Sequence, residues 1–142
     1  MFQGSFKIAL DPKGRISMPT RYRDQLMEGC AGRLTLTRHP DGCLLVYPRP
    51  RWEAKREEVE ALPYEARALR RMLLGSATDV DLDSAARLLV PSALRQDAAL
   101  AADVTLMGAG AHLELWNPQL LREREERDLA DGLPSGAAGF RF

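Results

Sequence analysis

The chain has 142 residues, 45% of them apolar, enough for one compact domain or for two very small ones packed together. It holds no run of roughly 18 apolar residues to span a membrane, no charged-then-apolar leader, and two cysteines, Cys30 and Cys43, instead of a disulfide framework, so a cytoplasmic protein is expected. Formal net charge is zero, yet residues 1–72 balance at +5 and residues 73–142 at −5, so a polyanion would meet the two parts differently.

Along the chain, Phe6, Ile8 and Leu10 alternate with Lys7 and Ala9, the pattern of a half-buried strand. Asp11-Pro12-Lys13-Gly14 follows as a turn, with Pro fixing φ and Gly permitting a positive φ. Ile16 and Met18 resume a short strand, and Pro19 opens a short helix that carries Tyr22, Leu26 and Met27 and that Gly29 can end. Arg33–Thr37, the turn Pro40-Asp41-Gly42 and Cys43–Tyr47 then form a hairpin. A helix is expected from Arg51 to about Leu62, and a second helical stretch from Pro63 to Leu74.

The order then starts again. Val80 and Leu82 lead to the loop Asp83–Arg87, to Leu88-Leu89-Val90 and to a helix from Pro91 to about Ala99. Val104–Met107 and Leu113–Trp116 flank Gly108-Ala109-Gly110 as a second hairpin, and a charged helix is expected from Asn117 to Leu129. The Gly- and Pro-rich end, residues 132–142, is expected to be a mobile tail. Underlying this order is a sequence repeat: Leu10-Asp11-x-x-x-Arg15-x-x-x-Pro19-Thr20 returns as Leu82-Asp83-x-x-x-Arg87-x-x-x-Pro91-Ser92, offset by 72 positions. The copies differ in charge. Lys7, Lys13, Arg15, Arg21 and Arg23 face only Asp11 in the first, whereas Arg87 and Arg95 face Asp79, Asp81 and Asp83 in the second.

These residues, with Met1-Phe2-x-Gly4 ahead of them, resemble the MraZ family over residues 1 to about 130. The resemblance implies an α+β fold of two tandem AbrB-like swapped-hairpin β-modules that form a pseudo-symmetric β-barrel core with peripheral helices. On that reading residues 5–50 are the first repeat, 51–75 connecting helices, 77–120 the second repeat, 121–131 a C-terminal helix and 132–142 the tail. It further implies a sequence-specific, nucleoid-associated transcriptional regulator that forms ring-shaped homo-oligomers. Its partner would be double-stranded promoter DNA with repeated sites, in the division and cell-wall gene cluster that includes its own gene. No cofactor and no metal are expected.

With that partner, Arg15 can read guanine through two parallel hydrogen bonds, and Gly14 lets the backbone approach closely. Lys13, Lys7, Arg21 and Arg23 are candidate phosphate contacts. Asp11 is expected to fix its loop by bonding Arg15, and Asp83 with Arg87 is expected to fix the second loop or to supply a secondary DNA contact. Loss of Arg15 should therefore abolish specific binding, and loss of Arg87 should mainly loosen assembly or stability.

Other chemistries find less support. Cys30, His39 and Cys43 match no compact zinc finger, and His39 and His112 flank turns without a nucleophile, a P-loop or a nucleophile elbow nearby, so no enzyme is expected. The competing reading is an oligomeric interaction scaffold or antitoxin-like partner-binding module, which would use the amphipathic surface of Val59, Leu62, Leu69 and Leu73.

Overall fold

A computed structural model describes residues 1–142. The first apolar alternation forms β1 (Ser5–Ala9), with Phe6 and Ile8 turned inward, and a three-residue β2 (Arg15–Ser17) follows the first loop. Helix α1 (Thr20–Cys30) comes next, then the hairpin β3 (Arg33–Arg38) and β4 (Leu44–Pro48). Helix α2 (Arg49–Glu60), a 3₁₀ turn at Tyr64–Ala66 and α3 (Arg67–Ser76) lead to the second copy. That copy comprises β5 (Thr78–Asp81), β6 (Arg87–Leu89), α4 (Ser92–Asp97), β7 (Asp103–Gly108) and β8 (Leu113–Trp116), and α5 (Pro118–Leu129) ends the regular structure.

The copies are interleaved. β1 pairs with β7, the hairpin strand of the second copy, setting Phe6 opposite Leu106 and Ile8 opposite Val104. In return β5 pairs with β3 of the first copy, setting Val80 opposite Leu34. β4 and β8 join the two hairpins, so the six strands run in the order β1-β7-β8-β4-β3-β5, and every pairing is antiparallel. β2 and β6 form a separate two-stranded ribbon. The expected β-barrel is not closed: β1 and β5 are the two edges of an open sheet, each hydrogen-bonded to one neighbour.

One core of 17 buried residues draws on both copies, with Ile16, Leu34, Leu36, Leu88, Val90, Leu106 and Leu115 fully enclosed. Its counterpart lies on the other side of β4. Leu44 and Val46 enter the main core, while Leu45 and Tyr47 pack with Trp52 of α2 against Leu73 and Leu74 of α3. Burial on both faces explains why this strand reads as a continuous apolar run and does not alternate. Two buried threonines are satisfied there as well: the Thr35 hydroxyl donates to Asp79 at 2.7 Å and that of Thr37 to the Leu73 carbonyl at 2.6 Å.

Helix boundaries depart from the sequence expectation in physically simple ways. Gly29 does not end α1; Ala31 and Gly32 do, at φ of 55° and 72°, where their amides return to the carbonyls of Met27 and Leu26. Helix α2 begins at Arg49 and stops at Glu60, two residues before the expected start and end. Pro91 precedes α4 instead of opening it, and Asn117 caps α5 by accepting the amides of Gln119 and Leu120. No helix is long and apolar enough to cross a membrane.

Tyr22 ties the N-terminal segment to this core. It is fully buried, with its ring edge-on to Phe2 at 5.7 Å and to Phe6 at 5.2 Å, and its hydroxyl donates to the Gln3 carbonyl at 2.8 Å. Tyr22→Phe leaves that carbonyl without its partner and should lower stability by about 1–3 kcal/mol. Tyr22→Ala, which also opens a cavity, should cost about 3–5 kcal/mol. Urea unfolding midpoints at unchanged slope measure both.

Candidate nucleic-acid interface

The Asp-x-x-x-Arg spacing places a carboxylate beneath a tight turn whose amides point back at it. In the first copy Asp11 Oδ1 accepts the amides of Lys13 and Arg15, each at 2.9 Å, and Oδ2 accepts Arg15 Nε at 2.7 Å. Backbone bonds between Asp11 and Arg15 and from Gly14 to the Asp11 carbonyl close the loop, with Gly14 at a φ of 85°. The second copy repeats the arrangement bond for bond. Asp83 Oδ1 accepts the amides of Ala85 and Arg87 at 2.9 Å, Oδ2 accepts Arg87 Nε at 2.8 Å, and Ala86 takes the left-handed position at 58°. The Arg15 amide lowers the Asp11 pKa most, and the Arg87 amide does the same for Asp83.

The two loops share one ribbon. Arg15 pairs with Leu89 and Ser17 with Arg87, while the amides of Val90 and Met18 bond the carbonyls of Gly14 and Ala86 across the strands. Ile16 and Leu88 between them are fully buried. Side chains alternate along a strand, so Arg15, Ser17, Arg87 and Leu89 lie together on the outer face, the two arginines on a diagonal. In each arginine only Nε is engaged within the chain, and the terminal nitrogens are left to donate elsewhere.

The other expected contacts are spread more widely. Lys13 stands exposed on the first loop. Lys7, on β1, opens onto a separate cleft that Asp103, Asn117 and Arg122 also line. In the first turns of α1, Arg21 reaches back toward Gly4, and Arg23 pairs with Asp24 at 3.6 Å. Arg95 of α4, which the sequence reading counts only among the second copy's charges, has its guanidinium against Gly14. The only hint in the chain was its position, 72 residues after Arg23.

Away from the ribbon, His39 Nδ1 accepts the Asp41 amide at 2.9 Å, a turn-forming bond. His112 lies tilted over Tyr47 at 4.9 Å with its Nε2 3.9 Å from Glu114, and this neighbour is the largest cause holding the Glu114 pKa down. Burial, with Glu114 and Asp41 nearby, pushes the Cys43 thiol far above its ordinary range.

Comparison with known proteins gives a consistent picture. The family model for the MraZ protein, described as antitoxin-like, matches residues 1–75 and again 73–133. The chain is 57% identical over 142 residues to a protein of Bordetella pertussis named transcriptional regulator MraZ, covering the whole of both. Proteins of the same name from Paraburkholderia xenovorans and Burkholderia cenocepacia are 49% identical, again over the full length of both chains.

Because the Asp11 and Asp83 pKa values are lowered in the fold, the stabilisation they bring is fully present above about pH 4. It is lost as pH falls through their folded values. In an NMR titration, the amide resonances of Lys13, Arg15, Ala85 and Arg87 should therefore hold steady near neutrality and move together in strong acid. Asp11→Asn should displace the Lys13 and Arg15 signals at neutral pH and leave those of Ala85 and Arg87 in place.

Proposed function

The chain belongs to the MraZ family, and on that premise we propose that it is a DNA-binding transcriptional regulator whose reading head is the β2–β6 ribbon. The observation that carries this reading is the pair of arginine loops, fixed alike on one outward face. A two-stranded ribbon fits the major groove of B-DNA. Arg15 already has its Nε held by Asp11, so it can offer its terminal nitrogens to guanine O6 and N7 as a pre-oriented fork. Such a pair discriminates by about 1–3 kcal/mol. Lys13 on the same loop meets phosphate, and Lys7, Arg21 and Arg23 add contacts where the duplex continues past the ribbon. Arg87 is a secondary contact, because its loop carries Ala85 where the first has Lys13. Asp11 does not repel the duplex as a free carboxylate would, since both its oxygens are taken up within the loop.

One protomer with so few contacts binds weakly. In our reading the interleaved modules are of the swapped-hairpin type and assemble into a ring-shaped homo-oligomer that engages repeated promoter sites. The linked contacts then gain through effective concentration. The sites lie in the division and cell-wall gene cluster, and the protein works in the cytoplasm on the nucleoid. The scaffold or antitoxin-like alternative loses much of its surface: Val59 is buried, Leu62, Leu69 and Leu73 are half-buried, and Leu73 packs on the second core.

Fluorescence anisotropy with a promoter fragment and a scrambled control, across about 50–300 mM salt, tests the proposal. Wild type should prefer the promoter. Arg15→Ala should lose that preference, about 1–3 kcal/mol of discrimination, while remaining folded and assembled. Arg87→Ala should keep the preference and lose mainly assembly or stability. Equal loss of DNA affinity in both variants, correctly folded, would remove the distinction between the copies. An intact wild-type oligomer that ignores the promoter would favour the scaffold.

A further inference from the structure

The Arg95 guanidinium has neither an ion pair nor a hydrogen-bond partner for its buried Nε. A Cβ built on Gly14 would lie 2.5 Å from Arg95 Cζ and 2.8 Å from its Nε and Nη1, so the planar group rests on the bare Cα of the first loop. The backbone puts it there. Val90 bonds to Gly14 across the ribbon, Pro91 follows, and α4 starts at once, with the Arg95 amide returning to the Pro91 carbonyl. In this position Nε is buried and has no hydrogen-bond partner, and no carboxylate forms an ion pair with the side chain. The side chain as a whole is half-buried, but a buried N–H of a cation left without a partner is costly. Its neighbours make it more so, since the loop beneath it carries Lys13, also without an ion pair, and Arg15, whose single carboxylate is already taken.

The second loop shows what makes this placement possible. Ala86 stands where Gly14 does, also at a positive φ, and it carries the Cβ that on Gly14 would collide with the guanidinium. The arginine equivalent to Arg95 is Arg23, which is exposed and paired with Asp24. Gly14 thus does more than permit a positive φ: it makes room for an arginine contributed by the other repeat.

We propose that Arg95, supplied by the second repeat, is a DNA-phosphate contact of the first repeat's Asp11–Arg15 loop, seated on Gly14. The ligand chemistry follows from what is missing. Two uncompensated cations beside one reading arginine call for an anion with several oxygens, and a planar guanidinium matches phosphate in a fork geometry. A phosphodiester flanking the base that Arg15 reads supplies those oxygens at the same place. The inference rests on the DNA-binding reading above and deepens it, making the site a joint product of both repeats.

The test runs wild type, Arg95→Gln and Arg95→Lys against promoter and scrambled duplexes over a salt series, with thermal unfolding of each protein alongside. Arg95→Gln should weaken binding to both duplexes by about tenfold. The slope of log affinity against log salt should become shallower by about 0.9 for each subunit on the DNA. Arg95→Lys should keep most of the slope. If wild type binds and Arg95→Gln binds equally with an unchanged slope, the inference falls and the functional reading stands. Loss of promoter preference at an unchanged slope would make Arg95 a prop for the loop and overturn the phosphate role. A wild type that does not bind DNA removes both. One measurement needs no variant: the Arg95 Nε–H resonance of the wild-type protein should move on adding duplex and stay fixed with inorganic phosphate at matched ionic strength. No movement with duplex, or equal movement with phosphate alone, would overturn the proposal.

Discussion

Neither half of this chain can cover its own first strand, and that constraint shapes everything else. β1 finds its hydrogen-bond partners in β7, and β5 finds its partners in β3. A half of about 70 residues would have a marginal core in any case. Here it would also lack a strand from its sheet, so the two copies fold as one unit. The shared core expresses this directly, because Ile16 and Leu88 come from different repeats and are buried side by side beneath one ribbon. The exchange also fixes the site. The crossing strands deliver β2 and β6 to each other, and only their pairing sets both arginine loops on the same outer face.

Within the ribbon, one carboxylate per loop does the orienting. An arginine on a short exposed strand would sample many rotamers, and ordering it on contact with DNA would oppose binding. Asp11 and Asp83 remove much of that freedom in advance by holding Nε while leaving the outer nitrogens unused. These groups are only partly buried, with solvent still reaching both pairs, so the ion pairs add little to global stability. Their effect is on shape. On the proposed DNA-binding reading, the same bonds also answer the objection to an acid near phosphate, because the charge is spent inside the loop.

Much of this was legible in the sequence because it is local. The strands, the loops and the helices after Pro19 and Pro91 follow from spacing and turn chemistry over a few residues. So did the Asp–Arg pairing, since five residues around a turn have few ways to arrange a carboxylate and a guanidinium. What escaped depends on distant partners. The alternation of Phe6 and Ile8 announces a half-buried strand without saying which hairpin covers it. Barrel closure depends on how far a whole sheet curls, which no single segment encodes. The end of α1 was misplaced because Gly29 is the more obvious stop, whereas the chain uses Ala31 and Gly32. Arg95 was counted only as a charge for a related reason: in the sequence it belongs to the acidic half, and only the fold lays it on Gly14.

That last point changes how the charge asymmetry should be understood. Balances of +5 and −5 are sums along the chain, divided at residue 72, and the strand exchange does not respect that division. Asp79 and Asp81 lie on β5, against the first copy's hairpin, where Arg49 engages Asp81 at 2.6 Å and Asp79 at 3.6 Å. Lys7 lies on β1 against the second copy. Part of the acidic excess is therefore met by a first-half arginine, and part of the basic excess lies on a strand paired with the second half. Since the bonds that fix the loops are the same in both copies, they cannot be what sets the copies apart. The difference in charge must come from the positions where the loops are chemically unlike; of the three, Pro12 against Ser84 brings no charge, which leaves Lys13 against Ala85 and Gly14 against Ala86. The first substitution adds a charge directly. The second adds one indirectly, by admitting Arg95, so a single glycine gives the first loop a cation that its own half of the sequence does not contain.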